Sequence, residues 1–232
     1  MSKKTIYWPH NFFVSAVLMM ILVIAIALLF IGVLGAAFAR IGFNITAIAL
    51  ILVATFVGGY VNIPLLKLKA VRPIVKEEFV SFFGMVYRVP MMEYGEATTL
   101  LAINVGGALV PTFISFYLLW KLPSAIIYAL IGVAVVALVT HLVARPVKGV
   151  GVTTPAFLPP LVAAITASVL RFDVPIVAYA SGVLGTLIGA DLLNLHVIPE
   201  LGAPVASIGG AGTFDGVFLS GIMAVLLTLI FH

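Results

Sequence analysis

The chain has 232 residues, of which 63% are hydrophobic and only 9% are charged. A soluble domain of this size carries charge on about a quarter of its residues, so the composition indicates one integral membrane domain, residues 1–232. The absence of cysteine excludes disulfides, thiolate catalysis and cysteine metal ligands.

Apolar runs separated by charged, proline-rich and glycine-rich breaks predict an all-α polytopic membrane protein. Crossing a bilayer takes about 20 residues. The first run is too long for a signal-peptide core, and we expect it to remain as a helix. The fifth begins among three prolines and could be re-entrant instead. The predicted spans number about seven: 12–39, 42–64, 97–119, 124–143, 154–170, 174–195 and 213–231.

A small insertion, roughly residues 65–96, separates predicted spans two and three. Residues 78–83 and 85–90 form two β-prone runs broken at Gly84, and with 63–69 they predict a small sheet. The alternative is an amphipathic interfacial helix anchored by its aromatic side chains. If strands form, an open strand edge could bind an extended peptide by β-augmentation.

The basic residues predict which loops face the cytoplasm. Because lysine and arginine collect in cytoplasmic loops, we expect a multi-pass protein of the cell membrane with a cytoplasmic N-terminus. The net charge of +4 therefore indicates topology rather than nucleic-acid binding. The long glycine- and proline-rich connections then also lie inside, where we expect the function. Nine basic residues fall inside, Lys3, Lys4, Lys67, Lys69, Arg72, Lys76, Arg88, Arg145 and Lys148, and three outside, Arg40, Lys121 and Arg171.

Two aspartates near the end of the chain, Asp191 and Asp215, are the candidate catalytic residues. A carboxylate near the hydrocarbon costs about 2.5–3.5 kcal/mol on insertion scales, so an intramembrane aspartate indicates a function. Spans six and seven are joined by an inner loop, which predicts that both carboxylates lie at one depth and meet. Such a pair holds one proton, and one member can then act as general base beside a protonated partner. The alternative is structural: Asp215 caps span seven, and Asp191 pairs with Asn194.

Glycines and prolines on the cytoplasmic side of the predicted spans indicate irregular backbone near the aspartates. Adjacent glycines before Pro111 can break span three where it lines a cavity, although a simple kink is the alternative. On span six, Gly182, Gly185 and Gly189 form a packing face, and Asp191 points away from Gly189 unless the helix unwinds there. The candidate substrate-binding residues are Asn104, Gly106, Gly107, Pro155, Gly212 and Gly216.

A metal site is the less favoured interpretation of this region. His196 and Glu200 lie in the loop between the aspartates, and the four side chains together could bind a metal. Their spacing matches no HExxH-type motif. We therefore predict no metal and no cofactor.

The whole chain resembles a family of prokaryotic multi-pass membrane proteins known only as a domain of unknown function. The resemblance lies in 82–90, in the Asn-Val-Gly-Gly run at 104–107 and in the glycine-rich run 209–216. It implies a shared fold unit and no particular activity.

Part of the chain is also similar to intramembrane aspartyl proteases of the presenilin and signal-peptide-peptidase type. Those proteins use one aspartate on each of two adjacent helices, the second in a Gly-x-Gly-Asp motif, with a Pro-Ala-Leu motif nearby. The similar pieces here are 210–220 and 155–157. Two residues separate Gly212 from Asp215, and the proline motif precedes the aspartates. The resemblance implies an aspartate pair that cleaves peptide bonds.

Three functions follow from these features. The first is an intramembrane aspartyl peptidase whose substrate is a membrane peptide. The second is a small proton- or cation-coupled transporter that uses Asp191, Asp215 and Asn104 as its ion site, with a homo-oligomer forming the pathway. The third is a non-catalytic scaffold that uses its glycines for helix packing. The lipid bilayer is the expected partner in all three cases, and no nucleic acid is expected.

Overall fold

The computed structural model of the protein describes residues 12–83, 85–149, 151–210 and 215–231. These residues form mostly helices but also sheets, so the predicted all-α architecture is confirmed only in part. The α-helices are α1 Phe12–Arg40, α2 Ile45–Gly58, α3 Val110–Lys121, α4 Ile126–Val143, α5 Leu158–Leu170, α6 Val174–Thr186 and α7 Gly216–Phe231. The strands are β1 Asn62–Phe82, β2 Met85–Asn104, β3 Arg145–Val147, β4 Gly151–Thr153 and β5 Val205–Ile208.

Three helical segments of the described chain are long and apolar enough to cross a membrane. They are Val14–Arg40, Pro123–Val143 and Val174–Asn194. The other apolar helices, Ile45–Gly58, Val105–Lys121, Leu158–Leu170 and Gly216–Phe231, have 10–17 residues, fewer than the roughly 20 that a bilayer requires. The structure is thus consistent with a membrane location, but it supports three spans rather than seven.

Helix α6 lies at the centre of the helical bundle and packs against α4, α5 and α7. Its glycines permit the close approach. A Cβ added at Gly185 would lie 2.5 Å from Val136 on α4, and one at Gly182 would lie 2.8 Å from the Ser220 carbonyl on α7. The predicted packing role of these glycines is therefore confirmed, although they face two neighbouring helices rather than one.

Strands β1 and β2 form a long antiparallel ribbon that leaves the bundle. Twenty paired residues at about 3.4 Å each give a length of about 68 Å. Cross-strand ion pairs support the pairing, with Lys69 Nζ 3.7 Å from Glu96 and Arg88 3.4 Å from Glu77. The predicted strands are therefore present but much longer than expected, and the interfacial-helix alternative is wrong.

The predicted start of span three is wrong because residues 97–104 belong to β2. They pair with the first part of β1, from Asn62 to Ala70, and β2 also pairs in parallel with β5. A single π-turn, Val105–Leu109, then converts the strand into α3. The break predicted at Gly106 and Gly107 is thus a strand-to-helix junction and not a kink inside a span.

The segment before α5 is also extended, because β3 and β4 form a short antiparallel hairpin there. Helix α5 begins at Leu158, four residues later than predicted, and Pro159 and Pro160 lie in its first turn. Proline is tolerated in a first helical turn, where its missing N–H has no helical partner in any case. The sequence after α6 returns through short 3₁₀ turns, Leu192–Asn194 and Ile198–Leu201, to β5.

Candidate functional site

A cavity of about 200 Å³ lies where β4, β5 and the adjoining ends of α6 and α7 meet. Asp191 and Asp215 both line it. Within the described ranges, no other ionisable side chain lines its wall. The predicted meeting of the two aspartates is therefore present in the fold. The described part of the cavity wall thus carries two carboxyl groups and no lysine, arginine or histidine.

Asp191 owes its position to a π-turn, Leu187–Asp191, that ends α6. A π-turn widens the helix and rotates the residues after it, so it is the local unwinding near Gly189 that exposes Asp191 to the cavity. The Gly209 N–H donates to Asp191 Oδ2 at 2.8 Å. The expected pairing of Asp191 with Asn194 is absent: the Asn194 amide donates to the carbonyls of Gly189 and Ala190 at 2.9 and 3.0 Å.

Asp215 lies directly before α7 and caps it. The Val217 N–H donates to Asp215 Oδ2 at 3.3 Å, which satisfies one of the free N–H groups at the helix start. Burial raises the pKa of the Asp215 carboxyl, and hydrogen bonds from the Gly216 and Val217 amides partly oppose that rise. The predicted capping role is confirmed, and the same carboxyl also lines the cavity.

Two glycines directly after β5, Gly209 and Gly210, lie against the two aspartates. Gly209 and Gly210 both have left-handed backbone, with φ of 75° and 74°, which glycine adopts without steric cost. A Cβ at Gly210 would collide with the Asp215 carboxylate. A Cβ at Gly107 would collide with the Gly209 carbonyl and lie 3.0 Å from Asp215 Cβ. The glycines are therefore required by close backbone approach around the carboxylates.

Asn104 does not line the cavity but bonds to the segments that pack around it. It is fully buried, and its side-chain oxygen accepts the Gly107 N–H at 2.7 Å. Its amide donates to the Gly59 carbonyl at 2.9 Å and to Asn62 Oδ1 at 3.2 Å. Asn62 Oδ1 also accepts the Ser207 hydroxyl at 2.6 Å, so one network joins both strands at the base of the ribbon to β5.

The other predicted substrate-binding residues fall in different places. Gly216 lines the cavity, whereas Gly106 packs against Thr55 and Gly59 at the end of α2. Pro155 does not line the cavity, although the adjacent Thr154 does. Gly212 lies outside the described residues.

Strand β5 is the part of the site that the sequence analysis missed. All four of its residues line the cavity, together with Thr186 of α6. The signal is present in the sequence, because Val205–Ile208 is a short run with β-branched ends between Pro204 and the glycines at 209 and 210. Its four-residue length hides it among the surrounding loop residues.

A metal is not required by this arrangement. His196 and Glu200, which could complete a ligand set, are absent from the cavity wall. Among the residues that the structure describes, no group of three or more histidine, aspartate or glutamate side chains is arranged to hold a metal ion.

Comparison with known proteins gives a family but no activity. No curated protein and no solved structure matches the chain. The resemblance to presenilin-type proteases therefore has no counterpart among these matches. A family model described as "Protein of unknown function (DUF1614)" matches residues 56–227 and so includes the ribbon, both aspartates and β5. The chain belongs to the DUF1614 family.

Proposed function

We propose that this protein is a membrane-embedded aspartyl peptidase with Asp191 and Asp215 as its carboxylate pair. The observation that carries the proposal is that both side chains line one cavity of about 200 Å³, without another ionisable group on the described wall. Two carboxylates that share a poorly solvated site repel each other when both are ionised, so the pair holds one proton. One proton on two carboxylates provides a general base and a general acid together.

The proposed reaction is hydrolysis of an amide bond. The ionised aspartate removes a proton from a water molecule as the water oxygen attacks the peptide carbonyl carbon. The protonated aspartate gives its proton to the carbonyl oxygen, which produces a tetrahedral diol. Collapse of the diol breaks the C–N bond, the leaving nitrogen takes a proton, and the carboxyl group forms. One water is consumed, and the shared proton returns to the pair.

The hydrogen bonds at the aspartates favour hydrolysis over cation transport. Both carboxylates accept backbone N–H groups, from Gly209 to Asp191 and from Val217 to Asp215. A site for a dehydrated cation is instead surrounded by oxygen ligands, commonly the carbonyls of broken helices. N–H donors aimed at the carboxylates compete with a cation for the same oxygens, whereas they hold a catalytic pair in a fixed orientation.

We further propose that the four shorter apolar helices complete a seven-helix domain in the cell membrane. The distribution of lysine and arginine supports a cytoplasmic N-terminus. The ribbon and the cavity are then cytoplasmic, and the substrate is a membrane peptide that reaches the aspartates from that side.

The experiment is cleavage of single-span membrane peptides by purified protein in proteoliposomes, with products identified by mass spectrometry. Asp191→Asn and Asp215→Asn keep the size of each side chain but remove the shared acid and base. We expect each to reduce the cleavage rate by at least about 10³-fold, as loss of a central acid or base does. The matched control is Asp173→Asn, at the opposite end of α6, which we expect to cleave at the wild-type rate.

Wild-type cleavage by either site variant would refute the proposed pair. If the wild type cleaves no peptide, the same proteoliposomes test transport. Proton- or sodium-driven flux that both site variants abolish would establish the transporter instead.

A further inference from the structure

We propose that the substrate binds as an extended strand along the free edge of β5, with its scissile bond beside Asp191 and Asp215. The inference rests on the proposed peptidase function and specifies the conformation of the substrate. It is carried by the position of β5, which ends the three-stranded sheet β1-β2-β5 and lines the cavity that holds both aspartates.

The pairing of β5 with β2 determines which backbone groups lie on the outward edge of the sheet. The Leu100 N–H donates to the Pro204 carbonyl at 3.0 Å, and Leu100 and Val205 are register partners. In a parallel pair, alternate residues of a strand bond to the same neighbour, so Ala206 and Ile208 also face β2. The backbone groups of Val205 and Ser207 therefore face away from β2.

One of these outward groups already has a partner, and the others suit a peptide. The Ser207 carbonyl accepts the Gly210 N–H at 3.1 Å, which closes the glycine turn. Among the residues that the structure describes, the N–H and carbonyl of Val205 and the N–H of Ser207 have no backbone partner, and they form a donor–acceptor row on the outward edge. An added strand pairs with such a row through its own main chain, largely independently of its sequence.

The cavity can accommodate a peptide backbone more readily than large side chains. Gly151 and Val152 of β4 lie on the same wall as β5, and five of the fifteen wall residues are alanine or glycine, which lets a backbone approach closely. A helical substrate has no free main-chain groups to offer, because its N–H and carbonyl groups bond to each other. The substrate class is therefore a segment that unwinds beside its membrane span and carries small or β-branched side chains. The small wall residues are Ala190, Ala206, Gly151, Gly210 and Gly216.

Disulfide crosslinking tests the strand conformation, and the chain suits it because it has no cysteine of its own. The protein carries Val205→Cys in an Asp191→Asn, Asp215→Asn background, so that bound peptide stays intact. The probe is a synthetic peptide with a span of about 20 leucines and alanines. About ten alternating valines and threonines follow the span, a typical strand length, and one cysteine is moved along them. We expect crosslinking at every second position, because successive strand side chains point to opposite faces.

A second variant pair tests the same edge by activity. Val205→Pro removes the outward N–H without removing a bond to β2, whereas Val205→Ala keeps that N–H. If the wild type cleaves the probe, we expect Val205→Pro to cleave it roughly tenfold more slowly than Val205→Ala, the effect of one hydrogen bond.

The outcomes separate the two proposals. Crosslinking without a two-residue period, or equal cleavage by Val205→Pro and Val205→Ala, overturns strand binding and leaves the aspartate pair intact. Alternate crosslinking with a wild type that cleaves nothing supports the strand edge and overturns the peptidase.

Discussion

At the scale of single residues, the site depends on polar groups that lie behind the aspartates. Asn104 is the best example, since it bonds to the end of α2, to β1 and to the turn that begins α3. Its position before Gly106 and Gly107 suggests a ligand when only the sequence is considered. The structure assigns it to a buried cap instead, because its oxygen accepts the Gly107 N–H and Asn104 does not line the cavity.

Asn104→Ala should destabilise the protein strongly. It leaves the buried Gly107 N–H and the Gly59 carbonyl without side-chain partners, and each unsatisfied buried group costs about 1–3 kcal/mol. The measurement is thermal unfolding in detergent. Asn44→Ala is the matched control, because Asn44 caps α2 in the same way, through the Ala47 N–H at 2.9 Å, but is exposed. Equal losses for the two variants would show that the buried network adds no stability.

At the scale of elements, the sequence predicts the hairpin of α6 and α7 well. It predicts the strands near that hairpin only in part. Consecutive helices joined by one loop bring Asp191 and Asp215 to the same end of the bundle, which requires only the order of the spans. Alternating β-prone residues on both sides of Gly84 also predict the ribbon. An apolar run such as residues 97–104 is compatible both with a buried strand and with a membrane-spanning helix. The sequence therefore predicts part of a span where the structure has the end of β2.

The missing part of the site depends on contacts distant in sequence. Strand β5 forms because Val205 pairs with Leu100. A local sequence pattern does not indicate a pairing partner that is so distant in sequence. The π-turn that directs Asp191 into the cavity likewise has no characteristic amino-acid pattern. The position that this turn gives to Asp191 is evident only in the structure, where the Gly209 N–H donates to the Asp191 carboxylate.

The contact between the π-turn before α3 and the loop after β5 should be sensitive to one added methyl group. Gly107→Ala pushes the Gly209 carbonyl away and so disturbs the N–H that holds Asp191. Overpacking of this kind costs about 1–3 kcal/mol, and we expect cleavage to fall as well. Gly32→Ala on α1 is the control, since nothing lies within 4 Å of its added Cβ. Thermal unfolding and cleavage assays measure both effects, and full activity in Gly107→Ala would contradict the contact.

At the scale of the whole molecule, the two ends of the bundle have different characters. One end carries the ribbon, β5 and the cavity. The other consists of short turns held by aromatic contacts: Tyr128 stacks on Phe172 at 4.5 Å, and Phe43 stacks on Tyr117 at 5.8 Å. The basic residues lie mainly in the connections of the first end. We therefore expect the first end to be cytoplasmic.

Single cysteines in the cysteine-free chain measure this orientation. Tyr94→Cys lies on the exposed part of the ribbon, and Lys121→Cys lies at the opposite end of the bundle, at the last residue of α3. With a thiol reagent that does not cross membranes, intact cells should label Lys121→Cys only, and permeabilised cells should label both. Labelling of Tyr94→Cys in intact cells would reverse the topology.

The measurement that tests the central claim most directly is binding of a peptide analogue in which a hydroxyl-bearing carbon replaces the scissile carbonyl. The hydroxyl imitates the tetrahedral diol, and analogues of such intermediates bind at least about 10²-fold more tightly than substrates. We predict that it raises the unfolding temperature of the wild type and of Asp173→Asn, but not of Asp191→Asn or Asp215→Asn. The matched analogue without the hydroxyl should have little effect. Equal stabilisation by the two analogues, or stabilisation that survives in both site variants, would contradict a catalytic aspartate pair.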